Sequence, residues 1–145
     1  PRGGKGCGVC GDLTRAFALC EETASRGSKD TVRMRQAGAS PVFWLRVRQE
    51  HLARGIRELL RRLPRGVPVV CESNAARREI EPGVFLVLRK AGSLVAKPSC
   101  AEVLARADCV VDFHGRTWSL PPAALELAAR RWRIRETSAV NPAGG

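Results

Sequence analysis

The chain has 145 residues, 25 of them Lys or Arg against 14 Asp or Glu, for a net charge of +11. That length suits one domain burying roughly 68–70% of its unfolded surface, so a core can form without disulfides or metal. With no apolar run near the ~18 residues of a membrane span and no signal-peptide pattern at its start, the sequence reads as cytoplasmic, with no membrane partner.

Residues 1–28 are rich in Gly and Cys and hold no sustained period, which predicts a loop segment. Residue 1 is Pro rather than Met, so we expect a processed chain or further sequence upstream. A helix is predicted to open at Lys29-Asp30-Thr31, capped by Asp30 or Thr31, and to stop at Gly38 after Ala37. Val42-Phe43-Trp44-Leu45 is too short for a helix and too uniformly apolar for a half-exposed strand, so it reads as a central strand. Leu52, Ile56, Leu59, Leu60 and Leu63 then recur at helical spacing, with Arg54, Arg57, Glu58, Arg61 and Arg62 opposite them and Pro64 as the stop.

Val67-Pro-Val-Val-Cys71 reads as a buried parallel strand that delivers Glu72, Ser73 and Asn74 to the carboxyl edge of a sheet. A short helix over Ala75 to Ile80, a strand at Val84–Leu88 and a turn at Gly92-Ser93 follow. Ser99 and Glu102 have capping-box spacing for a helix to about Ala107, and Cys109–Phe113 is another strand. Pro121-Pro122 should open a last helix with Leu125, Ala128 and Trp132 on one face. Strands alternating with helices about every twenty residues predict an α/β domain over 29–135, built on a mainly parallel sheet of about four strands, with 136–145 as a flexible tail.

A carboxylate at a strand end usually acts on a metal-bound phosphate, or else caps the next helix, so Glu72 carries either role. Asp30, at a loop-to-helix junction, either caps its helix or shares a Mg2+ ion with Glu72. Lys97 precedes a helix N-terminus and makes a candidate anion contact. Asp112 and His114 close another strand and face the same carboxyl edge. Cys7-x-x-Cys10 with Cys20 can supply three ligands of a tetrahedral thiolate site for zinc or an iron–sulfur cluster, though a fourth ligand is missing. Cys71, Cys100 and Cys109 lie in or beside apolar runs and read as core thiols. Gly6-x-Gly8-x-x-Gly11 matches a dinucleotide fingerprint by letter but lacks the strand before it and the helix after it. No Gly-x-x-x-x-Gly-Lys-[Ser/Thr] phosphate loop occurs.

Gly27-Ser28-Lys29-Asp30-Thr31, followed by Arg33-Met34-Arg35-Gln36-Ala37-Gly38-Ala39, resembles a segment of the MobB-like P-loop family of molybdopterin-guanine dinucleotide biosynthesis. Val69-Val70-Cys71-Glu72-Ser73-Asn74 is similar to the stretch that carries that family's Walker-B-like acid, with Glu72 at the matching position and Ser73 where the family has Gly. The resemblance spans roughly residues 28–88. It implies a divergent, N-terminally truncated member: a P-loop NTPase-like domain, lacking the phosphate-loop strand, that binds GTP or ATP with Mg2+. The same resemblance implies a partner among molybdenum-cofactor enzymes or biosynthetic proteins, and a homodimer.

The expected function is therefore nucleotide binding in molybdenum-cofactor biosynthesis or insertion, with Asp30, Thr31, Glu72, Asn74 and Lys97 at the nucleotide and Mg2+. Any hydrolysis would be that of a slow nucleoside triphosphatase in the full-length protein, since no arginine finger or water-positioning residue stands out. One alternative is a metal-binding or redox accessory domain centred on Cys7, Cys10 and Cys20. The other is a basic RNA-binding module; here Arg residues are spread through every helix and few aromatic residues accompany them, so small anionic ligands gain more from the field than nucleic acid does.

Overall fold

The computed structural model describes residues 13–93 and 98–135. The chain divides into two compact units, Pro1–Arg65 and Gly66–Gly145. Both mix helices with small sheets, so the architecture is mixed α/β.

In the first unit, β1 (Phe17–Glu21) pairs antiparallel with β2 (Phe43–Val47), placing Leu19 opposite Leu45 and Cys20 opposite Trp44. The predicted strand at Val42–Leu45 thus exists, but its neighbour is a strand from the segment read as loop. Phe17-Ala-Leu-Cys lies in the Gly- and Cys-rich stretch that holds no sustained period, and only pairing makes it a strand. Side chains alternate across a strand, so Leu45 and Val47 share one face. Helix α2 (Leu52–Arg62) packs on that face: a methyl added at Gly55 would lie 3.0 Å from Val47 Cγ2 and 3.3 Å from Leu45 Cδ1. Leu52 and Ile56 are buried as the 3.6-residue period requires, whereas Leu60 is 49% exposed and falls outside the apolar stripe. Glu58 pairs with Arg61 and Arg62 on the outer side. The helix ends at Arg62 because the residue before Pro64 is pushed to extended geometry, as Leu63 shows (φ −73°, ψ 140°).

Helix α1 (Asp30–Gln36) ends as its sequence requires. Gly38 adopts φ +98°, its N–H donates to the Arg35 carbonyl and that of Ala39 to the Met34 carbonyl, which together close a Schellman motif. The start differs from expectation. Lys29 occupies the N-cap position without a side-chain bond, so neither Asp30 nor Thr31 caps the helix. Instead the Thr31 hydroxyl donates to Glu22 Oε2 at 2.7 Å, tying the helix to the chain just beyond β1.

In the second unit, β3 (Leu86–Lys90) and β4 (Cys109–Phe113) form a parallel pair joined through α3 (Pro98–Leu104), with Leu86 opposite Cys109 and Lys90 opposite Phe113. Val87, Val103 and Val111 are buried. This is the β-α-β unit that the alternation of elements predicts. Among the described residues, however, every sheet has two strands, one parallel and two antiparallel, rather than the expected parallel sheet of about four.

Two predicted elements are corrected. Val67–Cys71 is not a strand, and Val67, Val69 and Val70 are exposed, Val70 by 78%. A strand is defined by a ladder with a neighbour, and Pro68 contributes no N–H to one; β-branched side chains alone do not supply a partner. The last helix is also absent. Pro122–Ala124 forms a 3-10 turn, and β5 (Leu125–Ala128) and β6 (Arg131–Ile134) make an antiparallel hairpin. Its turn residues Ala129 and Arg130 both have positive φ (48° and 63°), the left-handed pair of a type I′ turn made here without Gly or Asn. Leu125, Leu127, Trp132 and Ile134 carry the period of two that competes with the helical reading. The short helix predicted at 75–80 is a 3-10 turn, Ala75–Arg78, entered through the Ser73 hydroxyl, which accepts from the Ala76 N–H at 3.2 Å.

Candidate functional site

In α/β proteins ligands gather beyond the carboxyl ends of parallel strands, where side chains from neighbouring strand ends converge. At that end of the β3–β4 pair, Arg89 and Lys90 lie beside Asp112 and Phe113. Arg89 Nε donates to Asp112 Oδ1 at 2.6 Å, and a second guanidinium nitrogen reaches Oδ2 at 3.3 Å. This hydrogen bond holds the Asp112 carboxyl below the ordinary carboxylate range against its own partial desolvation, with the charges of Arg89 and His114 acting in the same direction as the bond. The guanidinium is raised in turn.

After β4 the chain turns back on itself. The His114 N–H donates to the Thr117 carbonyl at 2.9 Å, Gly115 takes φ +90°, and the Ser119 hydroxyl accepts from the Asp112 N–H at 2.8 Å. The turn brings Trp118 back to Phe113 as an isolated antiparallel bridge, with ring centroids 4.5 Å apart and planes tilted by 38°. Leu88, Arg89, Lys90, Phe113, Gly115 and Trp118 line an open hollow of about 320 Å³. Leu88 is 59% and Trp118 40% exposed, so large apolar surface faces solvent beside two cations. Apolar rings beside a lysine and an arginine can hold a flat ring and an anionic group together.

The residues singled out from the sequence are distributed differently. Asp30 and Thr31 belong to the first unit, Glu72 and Asn74 to the second. Asp30 is exposed in the first turn of α1, 3.8 Å from Arg33, an ion pair of little energetic consequence at the surface. Thr31 has its hydroxyl committed to Glu22. Glu72 is exposed just before the 3-10 turn, and Asn74 Nδ2 donates to Ser99 Oγ at 3.4 Å, joining that turn to α3. Lys97 lies outside the described residues, as do Cys7 and Cys10. Cys20 is an exposed free thiol on β1. Among the described residues no group of three or more His, Cys, Asp or Glu side chains could hold a metal ion, and no helix is long and apolar enough to cross a membrane.

Asp112 and His114 were legible as strand-end residues, but Lys90 and Trp118 were not. The signal for them lies in the letters: a basic pair ending one strand, and an aromatic residue on each side of a glycine turn after the next. No family model, no curated protein and no solved structure matches this chain.

Proposed function

We propose that this chain is a nucleotide-binding protein, with the base against Phe113 and Trp118 and the phosphates near Lys90. The observation that carries this reading is the hollow at the carboxyl end of a parallel β-α-β unit, where paired aromatic rings sit beside cations. The motif resemblance around Asp30 and Glu72 supports the same ligand class and adds GTP or ATP with Mg2+. An exposed carboxylate such as Glu72 suits Mg2+ as a nucleotide complex, because that ion keeps its waters and takes one or two carboxylates together with phosphate oxygens. The partner would be a molybdenum-cofactor enzyme or biosynthetic protein, and hydrolysis would be slow at most.

Without a glycine-rich cradle of backbone amides, affinity rests on stacking and charge, so binding is expected to be weak but saturable. Titration of the chain with a fluorescent GTP or ATP analogue and Mg2+ tests it. Saturable binding weakened severalfold by Lys90→Ala and by Trp118→Ala is the expected result. Absence of saturable binding, or binding indifferent to both substitutions in variants that still melt cooperatively, overturns the assignment.

A further inference from the structure

We propose that Arg77, Arg106 and Arg131 form a seat for a phosphate group, one that the Glu81 carboxylate fills in its absence. The four residues come from separate places in the second unit: the 3-10 turn, the segment leading into β3, the chain after α3 and the start of β6. Arg77 donates to both Glu81 carboxylate oxygens at 2.8 Å, and Arg106 Nη2 lies 3.5 Å from Oε2. Arg131 reaches the same segment, its Cγ 2.9 Å from where a methyl on Gly83 would stand. The Arg77 hydrogen bonds hold the Glu81 carboxyl below its ordinary range, and the charges of all three arginines act with them.

Three guanidinium groups thus share one carboxylate. Two further acids of this unit are engaged elsewhere: Glu102 pairs with Arg78, and Asp108 accepts from the Phe85 N–H at 2.6 Å. A carboxylate brings one charge and two oxygens. A phosphate group brings a charge of about −1.5 to −2 and three acceptor oxygens, which guanidinium forks match in pairs. Arg77 also holds a donor that Glu81 leaves unserved: its side chain is 8% exposed, and its buried Nε has no hydrogen-bond partner among the described residues. The seat does not depend on its present occupant for its position. The Arg77 guanidinium lies over the Phe85 ring and donates to the Ile80 carbonyl, whereas the Glu81 side chain is 69% exposed and can turn out into water. A small dianion is also the class of ligand that the dispersed positive field of this chain serves best.

The test titrates the whole chain with inorganic phosphate and, in parallel, with glycerol phosphate, by calorimetry at an ionic strength held constant with chloride. Saturable binding is expected, and the tighter of the two ligands tells a free ion from a phosphorylated metabolite. Glu81→Gln should tighten binding severalfold, because it removes the charge that competes for the seat. Arg106→Gln and Arg131→Gln should each weaken it severalfold; both side chains are exposed, so their replacement leaves the fold intact. If Glu81→Gln fails to fold, the two arginine variants decide the matter. Absence of saturable binding, binding unchanged or weakened in folded Glu81→Gln, or binding unchanged in either arginine variant overturns the proposal.

Discussion

Arg77 grips Glu81 with both arms of its guanidinium, Nη1 to Oε2 and Nη2 to Oε1, each at 2.8 Å. The Arg77 side chain is only 8% exposed, lies over the Phe85 ring, and also donates to the Ile80 carbonyl at 3.3 Å. A buried guanidinium is tolerable only because these acceptors are in place. The pair therefore fastens the 3-10 turn to the segment leading into β3.

Acid should loosen this fastening. The Arg77 hydrogen bonds are the main cause holding the Glu81 carboxyl below its ordinary value, ahead of the opposing desolvation and the further charges of Arg77, Arg106 and Arg131. A depressed carboxylate adds stability that is fully present above its unfolded pKa and is lost as pH falls through the folded one. Glu22, lowered chiefly by the Thr31 hydroxyl, and Asp112, lowered chiefly by Arg89, act in the same sense. The melting temperature should thus fall as pH drops below the ordinary carboxylate range, and Glu81→Gln should flatten that fall. Arg77→Ala should cost about 1–3 kcal/mol at neutral pH. A Glu81→Gln profile parallel to that of the parent chain would show that the pair has no part in acid sensitivity.

Gly83 is a second point of tight geometry, for a steric reason. A methyl there would stand 2.9 Å from the Trp132 carbonyl oxygen and 2.9 Å from Arg131 Cγ. The arginine can swing away, but the β6 backbone cannot without disturbing its pairing with β5. Gly83→Ala should destabilise the protein by about 1–3 kcal/mol, measured by urea unfolding. An unchanged midpoint would mean that the hairpin yields at little cost.

The thiolate proposal makes its own prediction. If Cys7, Cys10 and Cys20 share a metal, protein purified without oxygen should carry stoichiometric zinc or iron by elemental analysis, and Cys20→Ser should lower that content. Metal-free protein in which all three thiols react with a thiol reagent under native conditions would remove the site.

What could be read from the letters alone was local. The stripe of Leu52 and Ile56, the stop at Pro64, the Gly38 terminus of α1 and the β3-α3-β4 order depend on neighbours within a few residues, and the structure bears them out. The Trp118 site could not be read this way. It exists because a four-residue turn returns an indole to the ring of Phe113, and because a strand some twenty residues earlier ends beside both.

The apolar period of α2 and the breakers Gly38 and Pro64 in this sequence determined where α1 and α2 stop, because a helix satisfies its hydrogen bonds within one segment. Tertiary structure alone decided that Phe17–Glu21 finds a partner, that Val67–Cys71 lacks one among the described residues, and that residues 125–134 fold as a hairpin. It also decided that Asp30 and Glu72 belong to different compact units. Strand pairing and the meeting of distant side chains depend on groups far apart in sequence, and no local pattern records which of them will meet.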